Sequence, residues 1–266
     1  MLLEWIIEKY ALENNPSAIV FLIFAFLCMV IPYLLGSINP AIVFSKLIYH
    51  DDIRTHGSGN GGTTNMLRTF GKKAALLTFV CDMLKTVLSV LFGLLLIGQM
   101  GMSIAGFFAG FGHMFPVYYK FKGGKGVACY ATVALMISPL TFLGLLFVFL
   151  VIVIGTKFVS LASVMAALLY PLLLRAFAPN FSLGVAFAVV ETCFIVFMHR
   201  ENLKRIWNYE ESKLDFSKFK ISALEKRKQK KAEAKKNQDA KINQEEKTNE
   251  ETVNTAEHSD GGQNDA

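Results

Sequence analysis

The sequence of 266 residues lacks the short motifs that mark several common enzyme classes. It has no HExxH zinc motif, no GxSxG turn around a nucleophilic serine and no GxxxxGK[ST] phosphate loop. Its four cysteines have no CxxC spacing, so we expect neither a disulfide nor a metal site. These absences direct attention away from metal, hydrolase and P-loop chemistry.

Charged residues are also scarce, at 18%, whereas hydrophobic residues make up 53% and phenylalanine alone contributes 23. This composition excludes an ordinary soluble domain and predicts an all-α, polytopic transmembrane bundle. Residues 1–10 lack a basic n-region, and no cleavage site follows the first apolar run, so no cleavable signal peptide is expected. No soluble basic domain is left over, which argues against nucleic acid as a partner.

The apolar runs and the basic loops together predict about seven spans. Lys and Arg cluster between runs and after the last one, but are absent from the joints at 98–101, 138–139 and 179–180. Seven spans place every basic loop on one face of the membrane, with the N-terminus outside and the C-terminus in the cytoplasm. We therefore expect a multi-pass protein of the plasma membrane. The runs cover residues 17–35, 74–97, 101–117, 127–138, 139–154, 158–177 and 181–198.

The count depends on the run from 127 to 154, which is broken by Ser138–Pro139. A helical hairpin there gives seven spans, whereas one long helix gives six and divides the basic segments between the two faces. Residues 127–138 make only about 18 Å of helix, short of the roughly 30 Å hydrocarbon core. Beyond the transmembrane domain at 1–221, residues 222–266 are highly charged and predict a disordered cytoplasmic tail.

Three polar segments carry candidate functional residues. The first, residues 52–68, combines glycines with Ser58, Asn60 and Asn65 as donors and with Arg54 and Arg68 as bidentate phosphate ligands. A flexible loop is the alternative.

The second segment, KGGKG, comprises Lys122, Gly123, Gly124, Lys125 and Gly126 and lies at the mouth of a span. Its amides and lysines suit a phosphate, although a simple positive-inside turn has the same composition.

The third segment places His199, Asn202 and Arg205 on one helix face by their spacing. Alone it would be interpreted as a basic juxtamembrane helix. Within the second span, Asp82 and Lys85 are an i, i+3 pair that is either structural or functional. Ser37 is a further buried polar residue.

Taken together, five segments resemble the bacterial membrane acyl-phosphate:glycerol-3-phosphate acyltransferase family, over about residues 34–213. They are GSINPA, DIRTHGSGNGGTTNMLRTFGKKAA, DMLK, HMFPVYYKFKGGKGVA and HRENLKRI. Asn39 before Pro40, Thr86 after DMLK, and WNYEE after the third segment depart from the usual family pattern. Like that family, the chain lacks the HxxxxD motif of the soluble-domain acyltransferases.

The resemblance implies transfer of a fatty acyl group from acyl phosphate to the sn-1 hydroxyl of glycerol 3-phosphate, without cofactor or metal. It suggests the segment 122–126 for glycerol 3-phosphate and places His199 and Asn202 at the reaction centre. The proton acceptor is either His199 or an oxygen of the donor phosphate. A transporter for organic phosphate is the alternative function. For acyl phosphate and its carbonyl we expect Ser37, Arg54, Ser58, Asn60 and Arg68.

Overall fold

The structure, a computed structural model, describes Leu2, Trp5 and residues 16–214. Every regular element among these residues is helical, which confirms the predicted all-α class. The predicted tail at 222–266 lies outside the described residues. The α-helices are α1 (Pro16–Ser37), α2 (Pro40–Ile48), α3 (Thr63–Thr69), α4 (Lys72–Met114), α5 (Val127–Ile137), α6 (Pro139–Thr156), α7 (Val159–Phe177), α8 (Ser182–Met198) and α9 (Arg200–Trp207).

Helix α4 consists of two antiparallel arms, residues 72–96 and 99–114. Ile97 and Gly98 have non-helical dihedrals, and Gly98 has φ 65°. Gly93 and Gly101 then lie against each other so closely that neither could carry a Cβ atom. Because a continuous helix would hold these two residues about 12 Å apart, the chain must reverse between them. The arms correspond to the second and third predicted spans.

Small residues let α1 pack closely against the second arm of α4. A Cβ atom on Gly36 would overlap the backbone of Ala109, and one on Gly112 would overlap that of Tyr33. The two segments run parallel, since Cys28 clusters with Ile104 and Ser37 Oγ reaches the amide of Val117. These contacts place the end of α1 beside the polar loop that follows α4.

The chain breaks at Ser138–Pro139, as the sequence predicted. Ser138 caps α6 by accepting a hydrogen bond from the amide of Thr141, at 3.2 Å, and Pro139 occupies the first helical position. Ala134 and Leu145 pack in one cluster, although a straight helix would separate them by about 16 Å. Helices α5 and α6 therefore fold back on each other.

The neutral joints and the polar segments lie at opposite ends of the bundle. Near the joints, Gly184 lies close to Ser103 and Ile137, which a Cβ atom at this position would contact, whereas the polar segments contact one another at the other end. By length and composition, four segments of the described chain could cross a membrane, and α8 with α9 would make a fifth. One of the four contains both arms of α4, and α5 is shorter than a full span, so the total of seven stays a prediction.

Candidate active site

A cavity of about 370 Å³ opens where the three polar segments meet. Its polar part is lined by residues of all three segments, and its apolar part extends between α5, α6 and α7. One site therefore offers cationic and hydrogen-bonding groups beside a hydrocarbon-like channel. The polar lining includes Ser58, Asn60, Thr63, Thr64, Arg68, Lys125, Ser160, His199, Asn202 and Glu211.

The first glycine loop, residues 56–62, is held from within by the buried side chain of Asn65. Its amide group donates to the backbone oxygens of Ile53, His56 and Asn60 at 2.9–3.1 Å, and its oxygen accepts from the amide of Ser58 at 3.1 Å. Both N–H donors of Asn65 are thus used within the protein, and the side chain holds Ser58 and Asn60 at the cavity wall.

Asn39 ties the end of α1 to the same loop. Its side chain caps α2 by accepting from the amide of Ile42 and donates to the oxygen of Gly61 at 3.0 Å. The Asn39–Pro40 departure from the family pattern is therefore a helix cap followed by a proline at the first helical position.

The second glycine loop, residues 122–126, is packed too tightly for its first two glycine amides to bind a ligand. The amide of Gly123 donates to the oxygen of Met114, and that of Gly124 donates to the oxygen of His113, at 3.3 and 3.0 Å. A Cβ atom on either glycine would overlap the backbone or ring of His113. Because both amides are already hydrogen-bonded within the protein, Lys125 is a better candidate phosphate ligand than these two amides.

The two glycine loops also contact each other directly, through the amide of Gly61 and the oxygen of Gly123 at 3.3 Å. Lys125, which follows the packed glycines, extends into the cavity and donates to the side-chain oxygen of Asn202. The second loop therefore presents a charged side chain to the cavity, rather than a row of amides.

The third segment forms the junction between α8 and α9, which bend by 52° relative to each other. His199 Nδ1 lies 2.8 Å from the backbone oxygen of Ile195, so Nδ1 carries the proton of the neutral ring. The other ring nitrogen, Nε2, is then an unprotonated acceptor. Asn202 is buried beside Lys125. His199 and Asn202, both predicted to be catalytic, therefore lie together at the cavity.

Glu211 was not predicted from the sequence, yet it connects much of this site. Its carboxylate accepts from Asn202 at 2.7 Å, from Ser160 at 2.9 Å and from Arg205 at 2.8 Å. Arg68 in turn donates to the backbone oxygen of Ser212. The segment after α9 therefore folds back over the cavity mouth. Glu211 belongs to no sequence motif. The only sequence signal for it is its position just after a basic helix.

Burial sets the protonation of the site lysine and histidine. Burial lowers the pKa of Lys125 to about 8. The neighbouring arginines lower this pKa further, whereas Glu211 acts to raise it. Burial and the nearby Lys125 charge lower the pKa of His199 to about 4. Although burial opposes it, hydrogen bonds from Asn202, Arg205 and Ser160 lower the pKa of Glu211. At neutral pH the site thus holds a cationic lysine, a neutral imidazole and a carboxylate.

The structure divides the predicted site residues into two groups. Half of them line the cavity: Ser58, Asn60, Arg68, Lys125, Gly126, His199 and Asn202. The others do not line it and instead support its walls or lie outside: Ser37, Arg54, Asn65, Lys122, Gly123, Gly124 and Arg205.

Two of the supporting residues have partners that replace the ligand roles expected of them. Arg54 forms a bidentate pair with Asp52, at 2.7 and 3.0 Å, and donates to the oxygen of Tyr119. This pairing lowers the pKa of Asp52 to about 2. Ser37 is fully buried, and its hydroxyl lies 3.4 Å from the amide of Val117.

Below the loops, the carboxylate of Asp82, the imidazole of His113 and the thiol of Cys129 approach within 4.8 Å of one another. Such donors suit a metal ion. However, Lys85 Nζ lies 2.9 Å from Asp82 Oδ1 and 3.0 Å from His113 Nδ1, so an ammonium already supplies positive charge there. We interpret this cluster as a buried ionic network, of which Asp82 and His113 also reach the wall of the cavity.

Comparisons with known proteins agree with this site. The family model for glycerol-3-phosphate acyltransferase matches residues 26–209. The chain belongs to the glycerol-3-phosphate acyltransferase family. Among its relatives, the glycerol-3-phosphate acyltransferase of Thermoanaerobacter sp. strain X514 is 41% identical over 191 residues, which cover 72% of this chain and 96% of that protein. The Bacillus subtilis relative is 39% identical over 188 residues, covering 71% and 96% of the two chains.

Two solved structures of the integral membrane glycerol 3-phosphate acyltransferase PlsY (YgiH) are also similar. The glycerol 3-phosphate form matches with a TM-score of 0.69 at 34% identity, covering 73% of this chain and 98% of that one. The lysophosphatidic acid form matches with a TM-score of 0.65 at 34% identity, covering 72% and 95%. This acyltransferase is accordingly an integral membrane protein, and membership in the family favours acyl transfer over the transporter alternative.

The geometry of the acyltransferase site suits transfer of a group between two bound molecules. Lys125 and Arg68 offer positive charge for phosphate, Asn202 and Ser58 offer hydrogen bonds, and His199 Nε2 offers a proton acceptor. The apolar channel begins directly beside these groups, where it can hold a hydrocarbon chain next to the reacting atoms.

Proposed function

We propose that the protein transfers a fatty acyl group from acyl phosphate to the sn-1 hydroxyl of glycerol 3-phosphate. The products are lysophosphatidic acid and inorganic phosphate. The observation that carries this proposal is the single cavity with a cationic mouth and an apolar channel. Both substrates bear a phosphate, and only the donor bears a long hydrocarbon chain. A cavity with these two parts fits that pair.

The apolar channel fits the acyl chain of the donor. Its walls come mainly from α5, α6 and α7, with Phe79 of α4 and Ile195 of α8, and the α7 portion extends from Ser160 to Tyr170, about 15 Å along the axis. The chain would lie among these side chains with its carbonyl beside the polar mouth. The walls include Val127, Ala128, Ala131, Phe142, Leu145, Leu146, Phe149, Ala166 and Ala167.

The polar mouth fits the two phosphates. We assign glycerol 3-phosphate to the second glycine loop through Lys125, and the donor phosphate and carbonyl to Ser58, Asn60 and Arg68. The residues that do not line the cavity keep a role in this proposal by holding the loops, as Asn65 does for the first glycine loop.

Acyl phosphate is an activated mixed anhydride, so no protein nucleophile is required. The sn-1 oxygen forms a bond to the acyl carbon, the bond from that carbon to the phosphate oxygen breaks, and phosphate departs. The hydroxyl proton passes either to His199 Nε2 or to an oxygen of the donor phosphate. The protein contributes positioning and stabilisation of the charge on the carbonyl oxygen.

The membrane placement follows from the same arrangement. We propose that the protein lies in the plasma membrane and that the end of the bundle with the glycine loops faces the cytoplasm. The polar substrate glycerol 3-phosphate would then enter the site from the cytoplasm. Reporter fusions after Gly126 and Arg205 should then give cytoplasmic signals, and fusions after Gly98 and Pro179 external ones. A cytoplasmic signal after Pro179 would contradict this topology.

Donor choice tests the function directly. Purified protein in detergent receives glycerol 3-phosphate with palmitoyl phosphate, palmitoyl-CoA or palmitoyl acyl carrier protein, and phosphate and lysophosphatidic acid are measured. We expect turnover with palmitoyl phosphate alone, and acylation at the sn-1 oxygen by NMR. Turnover with either thioester, but not with palmitoyl phosphate, would overturn the proposed donor.

A further inference from the structure

A buried ionic network lies directly beneath the two glycine loops. Asp82 and Lys85 belong to the first arm of α4, and His113 ends the second arm. Asp82 Oδ1 lies 2.9 Å from Lys85 Nζ and 3.1 Å from His113 Nδ1. All three side chains are buried, with exposed fractions of 8% or less. They therefore form one contact unit between the arms.

Lys85 connects this unit to the end of α1. Its ammonium donates to the backbone oxygens of Gly36 and Ile38, at 2.9 and 2.8 Å. The last carbonyls of a helix have no partner within that helix, so an ammonium that binds them fixes the helix end. Asn39, which follows, holds the first glycine loop through Gly61.

His113 connects the unit to the second glycine loop. Its backbone oxygen accepts from the amide of Gly124, and its ring lies against the Cα atom of that glycine, where no Cβ atom would fit. The next residue is Lys125, whose ammonium enters the cavity. The position of the imidazole therefore determines where the backbone of Lys125 lies relative to the cavity.

A buried charge pair is not needed for stability alone, because apolar side chains of similar size often stabilise a core as well or better. We propose that Asp82, Lys85 and His113 are positioning residues, which hold the second glycine loop so that Lys125 meets the substrate phosphate. This inference rests on the proposed function, since it concerns the anion site of that reaction.

The test removes both charges of the network together, with Asp82→Asn combined with Lys85→Met, so that neither is left unpaired. We expect KM for glycerol 3-phosphate to rise at least tenfold, with a smaller change in kcat. The alkaline limb of kcat/KM should also move upward in pH, because a displaced Lys125 gains solvent. The groups that face Lys125, namely Arg68, His199, Arg205 and Glu211, are unchanged in this variant.

Two controls separate positioning from general stability. Leu96→Ala creates a cavity in the cluster of Leu96, Cys28 and Ile104, at the joint end of the bundle, and should lower the melting temperature without moving KM or the alkaline limb. Lys85→Arg keeps the positive charge beside Asp82, so its rise in KM should be smaller than that of the double variant.

If the double variant behaves like Leu96→Ala, with lower melting temperature but unchanged KM and pH limb, the proposal is overturned. If the double variant does not fold, Asp82→Asn alone removes the carboxylate that bridges Lys85 and His113, and an unchanged KM and alkaline limb in that variant overturn the proposal equally. Wild type is assayed first with each acyl donor. If palmitoyl phosphate is inactive and a thioester is active, the proposed donor is rejected. The kinetic comparison of the variants is then made with that thioester.

Discussion

The two glycine loops have similar compositions and border the same cavity, but Gly59 of the first loop and Gly124 of the second are required for different physical reasons. In the first loop, Gly57 and Gly59 have φ of 55° and 69°, which only glycine adopts easily. In the second loop, Gly123 and Gly124 are required because the ring and backbone of His113 fill the space of a side chain. Gly59 is therefore required by its conformation and Gly123 and Gly124 by packing, whereas Gly57 is also packed against Asn65 Oδ1 and Gly126 also has a positive φ of 77°.

The comparison shows why glycine-rich loops are weak evidence for an amide cradle. Many amides of both loops are already bonded within the protein: Ser58 to Asn65, Gly61 to Gly123, and Gly124 to His113. Anion binding then depends on side chains that the loops position. Substitutions in the two loops should therefore have different consequences.

The largest effect is expected for Gly124→Ala. The added Cβ atom would overlap the imidazole of His113, so the loop must move and take Lys125 with it. Loss of one charged hydrogen bond, about 1.5–3 kcal/mol, corresponds to roughly a ten- to hundredfold increase in KM for glycerol 3-phosphate. Steady-state kinetics with each substrate varied in turn measures this. A rise in KM for acyl phosphate alone would reverse our assignment of the two loops.

Asn65→Ala should have the next largest effect, because it removes all the side-chain bonds that organise the first glycine loop. Each buried bond is worth about 1 kcal/mol, so kcat/KM should fall by roughly tenfold or more as Ser58 loses its position. Asn65→Asp is the matched control, since it keeps the acceptor but loses both donors. Full activity of Asn65→Asp would show that those donors do not order the site.

The third prediction concerns pH. Burial lowers the pKa of Lys125 to about 8, so the side chain is charged below that pH and neutral above it. We expect kcat/KM to decline above pH 8 by about tenfold per unit. Lys125→Arg, which stays charged, should lose this decline. An identical alkaline limb in the arginine variant would assign it to another group.

The smallest effect is expected for Gly59→Ala. A Cβ atom there would meet nothing closer than 3.4 Å, and the cost is the left-handed backbone alone, about 1–2 kcal/mol. The melting temperature should fall by a few degrees while kcat/KM stays within about threefold of wild type. Gly71→Ala, also at positive φ but outside both loops, is the control. A loss as large as that of Gly124→Ala would contradict the distinction between the loops.

The sequence predicted the helical segments and the meeting of the three polar segments well. Long apolar runs and the break at Ser138–Pro139 follow from composition, and the positive-inside rule predicts that the basic loops share one face of the membrane. Ser58, Arg68, His199 and Asn202 do lie together at the cavity.

The same reasoning failed where a partner decides a residue's role. Arg54 resembles a phosphate ligand until Asp52, two residues earlier, is seen to occupy it. Ser160 and Glu211 belong to no motif, and the fold alone brings them together across 51 residues. Sequence spacing describes contacts along a helix, and it cannot describe contacts that depend on how separate helices pack.

The central claim is that both substrates meet in one cavity and that the acyl group passes directly between them. Rapid mixing of enzyme with acyl phosphate in the absence of glycerol 3-phosphate tests this claim most directly, with released phosphate measured against enzyme concentration. Direct transfer predicts no burst, and rapid release only after glycerol 3-phosphate is added. A burst of about one phosphate per enzyme, with acyl label retained on the denatured protein, would reveal a covalent acyl-enzyme and contradict the account.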